Sequence, residues 1–131
     1  MSNSKNSSEI LRETIETLFA TGDIHCLEAH PGMNDLSKNF LRVKAAFPDI
    51  RTELQQLLME GEQVASHWIL HGTHLGELFG IPPTGKTVRF QNLSIAKVKD
   101  GKIIQYNSEI GWLSILTQIG VLPIKSADAN Q

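Results

Sequence analysis

Cysteine is almost absent from this sequence of 131 residues, in which Cys26 stands alone. A single cysteine excludes an intramolecular disulfide and a zinc site built from several thiolates, and it favours a reducing compartment. No apolar stretch approaches the roughly 18 residues of a membrane span, and the opening MSNSKNSSEI lacks the apolar core of a signal peptide. We therefore expect a cytoplasmic protein that does not bind a membrane.

An excess of charge of either sign is also lacking. Twelve Lys and Arg residues oppose fourteen Asp and Glu residues, so the net charge is −2. Proteins that bind nucleic acid carry a basic patch, and nothing in this composition predicts one. The remaining composition, 40% hydrophobic and 20% charged, is that of a folded domain with a core. We expect one domain over 8–124 with polar, frayed tails at 1–7 and 125–131.

Two amphipathic helices are predicted before the first strand. Apolar residues spaced by three and four predict a helix over 8–20, and Asn6 with Glu9 matches the capping-box pattern at its start. The same spacing predicts a second helix over 35–47, with Asn34 as its cap. Both helices present one apolar face that a sheet could cover.

From about residue 50 to 112 the pattern favours strands. Residues 50–59 fit either a strand or a helix, because their apolar positions suit both periods. The following run, QVASHWILHGTH at 63–74, alternates and places Trp68 and Leu70 on one face. It therefore predicts a strand with one side turned towards a core.

A hairpin is the strongest local signal in the chain. Two alternating runs within 87–110 are joined by Asp-Gly at 100–101, a pair that favours the tight turn of a hairpin. In the first run Phe90 and Leu93 fall in opposite phases, which predicts a bulge near residues 91–92. Helices followed by antiparallel strands indicate an α+β fold, and a bent sheet packed on helices makes a cone that can hold a small ligand.

Four stretches of the sequence resemble one known family. They are AFPDI at 46–50, GTHLGELFGIPPTGK at 72–86, DGKII at 100–104 and SILTQIGVLP at 114–123. Their order and spacing resemble the SnoaL-like polyketide cyclase (ester cyclase) family, which belongs to the nuclear transport factor 2-like superfamily. The resemblance covers about residues 40–123.

This resemblance implies a cone-shaped α+β barrel with an apolar pocket, a homodimer and a small apolar molecule as partner. It also implies cofactor-free, metal-free chemistry in which an acidic residue, helped by a histidine, closes a ring by intramolecular aldol condensation. The sequence departs from the family pattern in two places. Tyr106, Asn107, Ser108 and Gly111 occupy positions where relatives carry His-Trp-Asp and a further Asp, and the segment 22–34 is shortened, which predicts a pocket open at that end.

His74 is the first candidate for catalysis. Strand alternation puts it on the face of Trp68 and Leu70, where it could donate to a carbonyl oxygen or carry a proton. The alternative is that its ring holds the following loop by hydrogen bonds. His67 and His71 would point to the opposite face, so a metal site is not expected.

Glu109 is the acid left in the last strand, and it is the second catalytic candidate. Alternation places it on the face opposite Tyr106 and Ser108, which favours a role in solvent or at a dimer interface instead. Tyr106 and Ser108, with Asn92 and Ser94 across the hairpin, are predicted to bind the ligand or to satisfy one another in a core. The apolar wall of the pocket is expected from Trp68, Leu70, Phe90 and Trp112.

Two functions follow. The first is a small-molecule enzyme that performs aldol-type cyclisation or isomerisation on an apolar, polyketide-like carbonyl compound. The second is a non-catalytic, dimeric domain that kept the pocket and lost the acid. The missing carboxylates and the short N-terminal segment favour the second, and the resemblance favours the first.

Overall fold

Four strands form one antiparallel sheet in the order in which they follow along the sequence. The computed structural model describes residues 6–122, so residues 1–5 and the expected tail at 125–131 lie outside that range. Residues 6 and 7 of the expected tail 1–7 are instead the cap and the first residue of a helix. The strands are β1 (Arg51–Glu60), β2 (Gln63–Thr73), β3 (Thr87–Lys99) and β4 (Lys102–Ile110). The helices are α1 (Ser7–Thr21), α2 (Asn34–Ala46) and α3 (Trp112–Gln118), and short 3₁₀ turns occupy Ile24–Leu27 and Pro31–Met33.

Helix α1 begins at the predicted capping box. The Asn6 side chain accepts a hydrogen bond from the Glu9 backbone N–H, and the Glu9 carboxylate accepts one from the Asn6 backbone N–H. Helix α2 differs from the prediction, because Asn34 is its first residue and not its cap. The cap is Met33, which ends the preceding 3₁₀ turn and offers no side-chain acceptor. The chain enters α2 directly from that turn.

The hairpin at 100–101 is confirmed. Asp100 and Gly101 both have positive φ angles, of 52° and 76°, as the tight turn between β3 and β4 requires. The ambiguous segment before β2 is a strand. Its pairing with β2 contains a register shift between Leu54 and Gln56.

The predicted bulge near residues 91–92 is wrong. Strand β3 alternates without interruption, and its register shift lies at Lys97/Val98. Asn92 continues the inner, buried face after Phe90, while Leu93 and Ile95 lie on the outer face with 48% and 59% of their surface exposed. The change of apolar phase along this strand therefore reflects two partly apolar faces, and no extra residue is inserted.

The helices pack on one face of the sheet and complete the predicted α+β cone. The core between them includes Leu11 and Ile15 from α1, Phe40 from α2, and Trp68 and Phe90 from the strands, all at most 3% exposed. On the opposite, outer face the side chains of Leu93 and Ile95 are exposed. Within residues 6–122, no helix has both the length and the apolar character needed to cross a bilayer.

The short connection between α1 and α2 docks on β4. The Cα of Gly32 lies so close to the backbone of Ile104 and Gln105 that a Cβ there would collide at 2.5 Å. One turn earlier, His30 Nδ1 accepts a hydrogen bond from the Ile103 backbone N–H at 3.0 Å. The shortened segment is therefore held against the sheet by a glycine contact and a histidine.

Candidate functional site

An interior cavity lies between helices α1 and α2 and the inner face of the sheet. Its volume is about 20 Å³, which is room for roughly one water molecule. The walls are mostly apolar, with a few polar groups among them. The lining residues are Ile15, Phe19, Leu36, Asn39, Phe40, Val43, Thr52, Trp68, Leu70, Phe90, Asn92, Tyr106 and Ile110.

Asn92 lines this cavity and carries a buried oxygen without a partner. The residue is 8% exposed, and its Oδ1 is buried without a hydrogen-bond partner in the structure. A buried acceptor without a partner costs about 1–3 kcal/mol of stability. Such a group is typical of a position that meets a polar atom of a ligand.

Tyr106 lines the same cavity from β4, where it pairs with Ala96, two inner-face positions along the sheet from the Asn92–Ile110 pair. Burial raises the pKa of its phenol above the ordinary value of 10.0, while hydrogen bonds with Ser94 and Ser108 act in the opposite direction. The phenol therefore stays protonated at neutral pH. It can therefore donate a hydrogen bond at neutral pH.

Ser94 and Ser108 do not line the cavity. Ser94 is 4% exposed, and its hydroxyl bonds to the hydroxyl of Ser66 on β2. Ser66 also accepts the indole N–H of Trp68 at 3.0 Å. The structure therefore brings these serines together with one another and with Tyr106, one layer behind the cavity wall.

None of the residues that line the cavity is an Asp, Glu, His or Lys. Tyr106 is the titratable side chain among them. The cavity thus contains a proton donor and polar acceptors, and its lining has no group that would act as a base at neutral pH. This arrangement can orient a carbonyl compound and stabilise negative charge on its oxygen.

His74 lies on the predicted inward side of β2 but outside the cavity lining. It is fully buried, and its Nδ1 lies 2.9 Å from the hydroxyl of Thr84 and accepts the Thr84 backbone N–H at 3.2 Å. Its Nε2 is buried without a partner. The Phe47 ring packs against His74 on one side and against the cavity residue Phe90 on the other.

Glu109 lies on the outer face of the sheet, exposed to solvent. There it borders an open groove of about 530 Å³ on the side opposite the cone. Apolar side chains of Leu58, Leu93 and Ile95 form the floor of this groove, and His67 stands at its edge. The groove and the cavity therefore lie on opposite faces of the sheet.

Trp112 lies outside the cavity lining as well. Its ring meets the ring of Phe79 edge to face, with centroids 5.1 Å apart. The guanidinium of Arg42 lies over the Phe79 ring, 4.9 Å from its centroid. Trp112 therefore ties α3 to the loop between β2 and β3 and to helix α2.

The histidines of β2 that face outward have separate partners. His67 Nε2 bonds to Gln91 Oε1 at 2.9 Å, and His71 Nε2 bonds to Glu53 Oε1 at 2.8 Å. The part of the chain that the structure describes contains no group of three His, Cys, Asp or Glu residues arranged to hold a metal ion.

Sequence reasoning missed several residues of the site. Asn39 and Thr52 line the cavity, from α2 and from the strand whose type was ambiguous. Ser66 was not singled out, although alternation from Trp68 places it on the inner face. The signal for Ser66 was present in the sequence, whereas the signal for Asn39 required the packing of α2.

Three helices and a four-stranded antiparallel sheet that pack around an apolar interior form the α+β cone of the nuclear transport factor 2-like fold. The profile of the SnoaL-like polyketide cyclase family matches residues 5–119. The chain belongs to this family. Over 79 residues, 60% of the chain, it is 29% identical to nogalonic acid methyl ester cyclase of Streptomyces nogalater, and the match spans 59% of that protein.

Solved structures share this fold along most of the chain. AclR, a proposed hydroxylase from Streptomyces galilaeus, is similar with a TM-score of 0.82 and 21% identity over 95% of this chain and 91% of that one. TsrD from Streptomyces laurentii has a TM-score of 0.78 and 22% identity over 92% and 100%. IdmH, a proposed polyketide cyclase from Streptomyces antibioticus, has a TM-score of 0.74 and 24% identity over 89% and 100%.

Proposed function

We propose that this protein is an enzyme that closes or isomerises an apolar, polyketide-like carbonyl compound inside the cone. The observation that carries the proposal is the buried, unpaired Oδ1 of Asn92, a residue that lines a mostly apolar cavity together with Tyr106. A buried polar atom without a hydrogen-bond partner destabilises the protein, and a polar group of a bound ligand removes that destabilisation by pairing with it. Family membership supports a cyclase or isomerase reaction.

The chemistry follows from where charge develops. When an enol carbon attacks a carbonyl group in an aldol ring closure, the carbonyl oxygen gains negative charge. A donor that points at this oxygen lowers the barrier, and the protonated Tyr106 phenol is such a donor. Asn92 is suited to hold a hydroxyl or amide group elsewhere on the same molecule. The reaction moves protons and electron pairs within one substrate and calls for no redox cofactor.

The alternative is a binding domain without turnover. An aldol closure also needs a base to remove a C–H proton, and the cavity lining carries no carboxylate, imidazole or amine. This specific observation favours the alternative. The two functions differ in one measurable property, because an enzyme converts many equivalents of substrate and a binding domain converts none.

The size of the cavity sets a condition on either function. A space of about 20 Å³ cannot hold a ring system, so side chains must move apart when a ligand enters. Phe19 and Phe40 are suited to this, since both line the cavity and touch edge to face across α1 and α2 with centroids 5.0 Å apart. We propose that the ligand enters between these helices.

The test is incubation with nogalonic acid methyl ester, the compound that names the relative from Streptomyces nogalater, followed by mass spectrometry and chromatography. We expect ring-closed product in excess of the protein. Asn92→Leu should lower turnover about tenfold, the effect of one lost hydrogen bond, and should not lower the melting temperature, because it removes an unpaired polar atom. Asn107→Leu makes the same change on the outer face and should leave turnover intact.

Binding of the ester without product, in the wild-type protein, would support the alternative function. Equal turnover in Asn92→Leu and the wild type would remove Asn92 from the site while leaving the enzyme proposal in place.

We further propose that two copies associate through the outer groove. Leu58, Leu93 and Ile95 are 58%, 48% and 59% exposed, and a flat apolar sheet face of this kind is typical of a protein interface. His67 and Glu109 also line this groove. In a two-fold contact each patch meets its own copy, so the apolar side chains of one subunit can pack against those of the other.

A further inference from the structure

Three basic side chains form a row across the outer face of the sheet. Arg51 on β1 pairs with His71 on β2, and His71 pairs with Arg89 on β3. Residues paired across neighbouring strands project to the same face, and the next residues along, Leu70 and Phe90, are buried in the core on the inner face. Because neighbouring strands lie about 4.8 Å apart, the backbone positions of the row span about 10 Å.

The row borders an open recess at the end of the sheet where β1 begins. The volume of this recess is about 330 Å³, and its lining includes Arg51, His71 and Arg89 together with Thr73 and Thr87. It shares no lining residue with the apolar groove or with the interior cavity. It is therefore a separate, polar feature of the outer face.

Ion pairs within the chain do not account for this row. Like charges directly opposite one another on neighbouring strands destabilise a sheet. Within residues 6–122, neither Arg51 nor Arg89 has a carboxylate oxygen within 4.0 Å of its guanidinium nitrogens. The Glu53 carboxylate lies nearby, but its Oε1 is bonded to His71 Nε2 at 2.8 Å. Two guanidiniums therefore flank the central imidazole without a bonded anion of their own.

Side-chain hydrogen bonds fix the backbone around the recess. Asp49 accepts the Thr73 backbone N–H with Oδ1 and the Thr73 hydroxyl with Oδ2, so both of its oxygens have partners. Gln118 on α3 accepts the Arg89 backbone N–H at 2.9 Å and donates to the Arg89 carbonyl oxygen at 2.8 Å. The strands that carry the row are thus held in place, while the Arg51 and Arg89 side chains are exposed.

We propose that Arg51, His71 and Arg89 bind a phosphate group on the outer face of the sheet. A guanidinium binds two phosphate oxygens at once through short, charge-assisted hydrogen bonds. The arginines stand on opposite sides of His71, so each can bind a different pair of oxygens on one tetrahedral phosphate. A carboxylate has two oxygens in a single plane and fits this arrangement less well. A recess of this volume also has room for part of a molecule that carries the phosphate.

Glu53 is the competitor for this ligand within the chain. Because a carboxylate only accepts hydrogen bonds, His71 donates its Nε2–H to Glu53, and a phosphate must take over that donor. The negative charge of Glu53 also repels an arriving anion. Glu53→Gln keeps an acceptor for His71 and removes the charge, so it should tighten phosphate binding.

The test is isothermal titration calorimetry of the wild-type protein with inorganic phosphate and with phenyl phosphate, at neutral pH and constant ionic strength. We expect saturable binding at one site per chain. Arg51→Gln and Arg89→Gln should each weaken it about tenfold, the effect of one lost hydrogen bond to a charged group, and Glu53→Gln should strengthen it several-fold. Arg89→Lys keeps the charge but loses the planar fork, so it should recover part of the loss.

Lys97→Gln is the matched control, because it removes one positive charge from the same face of β3, about 26 Å along the strand from Arg89. It should leave phosphate binding unchanged. Equal weakening in Lys97→Gln and in the arginine variants would show a general effect of net charge and would overturn the site, as would the absence of saturable binding in the wild type. Acetate that binds as tightly as phosphate would overturn the assignment to phosphate.

The two phosphate probes distinguish the source of the ligand. Tighter binding of phenyl phosphate would support a phosphate carried by an organic molecule, and equal binding would support free phosphate. The site goes beyond the proposed function and lies on the face opposite the cavity, so these measurements stand or fall without any assay of turnover.

Discussion

Two buried polar atoms lack hydrogen-bond partners, Asn92 Oδ1 and His74 Nε2, and their surroundings assign them different roles. Asn92 faces the cavity, where a ligand could supply the partner. His74 lies behind the Phe47 ring and uses its other nitrogen to hold Thr84. Because Nδ1 accepts the Thr84 N–H, the neutral ring carries its proton on Nε2. His74 is placed to anchor the loop between β2 and β3.

The anchor interpretation predicts a loss of stability when the ring is removed. His74→Ala leaves a cavity and two Thr84 donors without an acceptor, so we expect unfolding to become easier by about 2–4 kcal/mol. His74→Asn keeps an oxygen near the position of Nδ1 and should recover part of that loss. Chemical denaturation of the three proteins measures the effect.

The opposite result would restore the acid/base hypothesis. That result is a His74→Ala protein of wild-type stability that binds nogalonic acid methyl ester and no longer turns it over.

Single residues also show what strand alternation could and could not predict. Alternation placed Trp68, Leu70 and His74 on one face, and all three are buried there. It could not show that Phe47, at the end of α2, would separate His74 from the cavity, because that contact joins residues distant in sequence. The exposed position of Glu109 also agrees with alternation, which opposed its catalytic role from the start.

Strand β3 shows where sequence interpretation fails at the scale of an element. The interpretation assumed that apolar residues point inward. Because Leu93 and Ile95 are out of phase with Phe90, this assumption predicted a bulge. In the structure the inner face turns polar, with Asn92 and Ser94, and the outer face turns apolar at the same point. The pattern of polar and apolar residues alone cannot distinguish a bulge from a strand that carries apolar residues on both of its faces. The hairpin turn was predictable because Asp-Gly acts locally.

The docking of the short connector on β4 predicts that the stability of the folded protein depends on pH. Burial, with a smaller effect of the Lys102 charge, lowers the pKa of His30 from its ordinary 6.5. The unfolded chain therefore binds this proton more readily than the folded protein does. His30 supports the full stability above pH 6.5, and that support is lost as the pH falls through the lowered pKa. The cause is visible in the geometry, because a protonated Nδ1 cannot accept the Ile103 N–H.

We predict that the melting temperature falls as the pH is lowered from about 7.5 to about 5, and that His30→Asn flattens this dependence. Asn can accept the Ile103 N–H without titrating. His25 acts in the opposite sense, since its hydrogen bond with Asp23 raises its pKa, but it is present in both proteins and cancels in the comparison. Equal slopes for wild type and His30→Asn would show that the connector does not depend on this proton.

At the scale of the whole molecule, the two faces of the sheet have different surroundings. The inner face forms the cavity with the helices, and the outer face carries the apolar groove. The resemblance predicted the cone, and its matching stretches include the loop and turns that shape it. The sequence did not show that the cavity would be as small as about 20 Å³ or that Leu93 and Ile95 would be exposed on the outer face, since both depend on how α2 and the strands pack.

The outer groove predicts the assembly of the protein. We expect wild-type protein to sediment at twice the chain mass of 14.5 kDa, because a two-fold contact would cover the exposed apolar side chains of Leu58, Leu93 and Ile95. Ile95→Lys places a charge at that floor and its copy close by across the two-fold axis, so it should give a monomer. Leu113→Lys changes an equally exposed residue on α3, 62% exposed, and should remain a dimer.

A wild-type monomer, or a dimer that survives Ile95→Lys, would contradict this interface. Turnover by a monomeric Ile95→Lys protein would then show that each cone holds its complete site, as the cavity residues of a single chain imply.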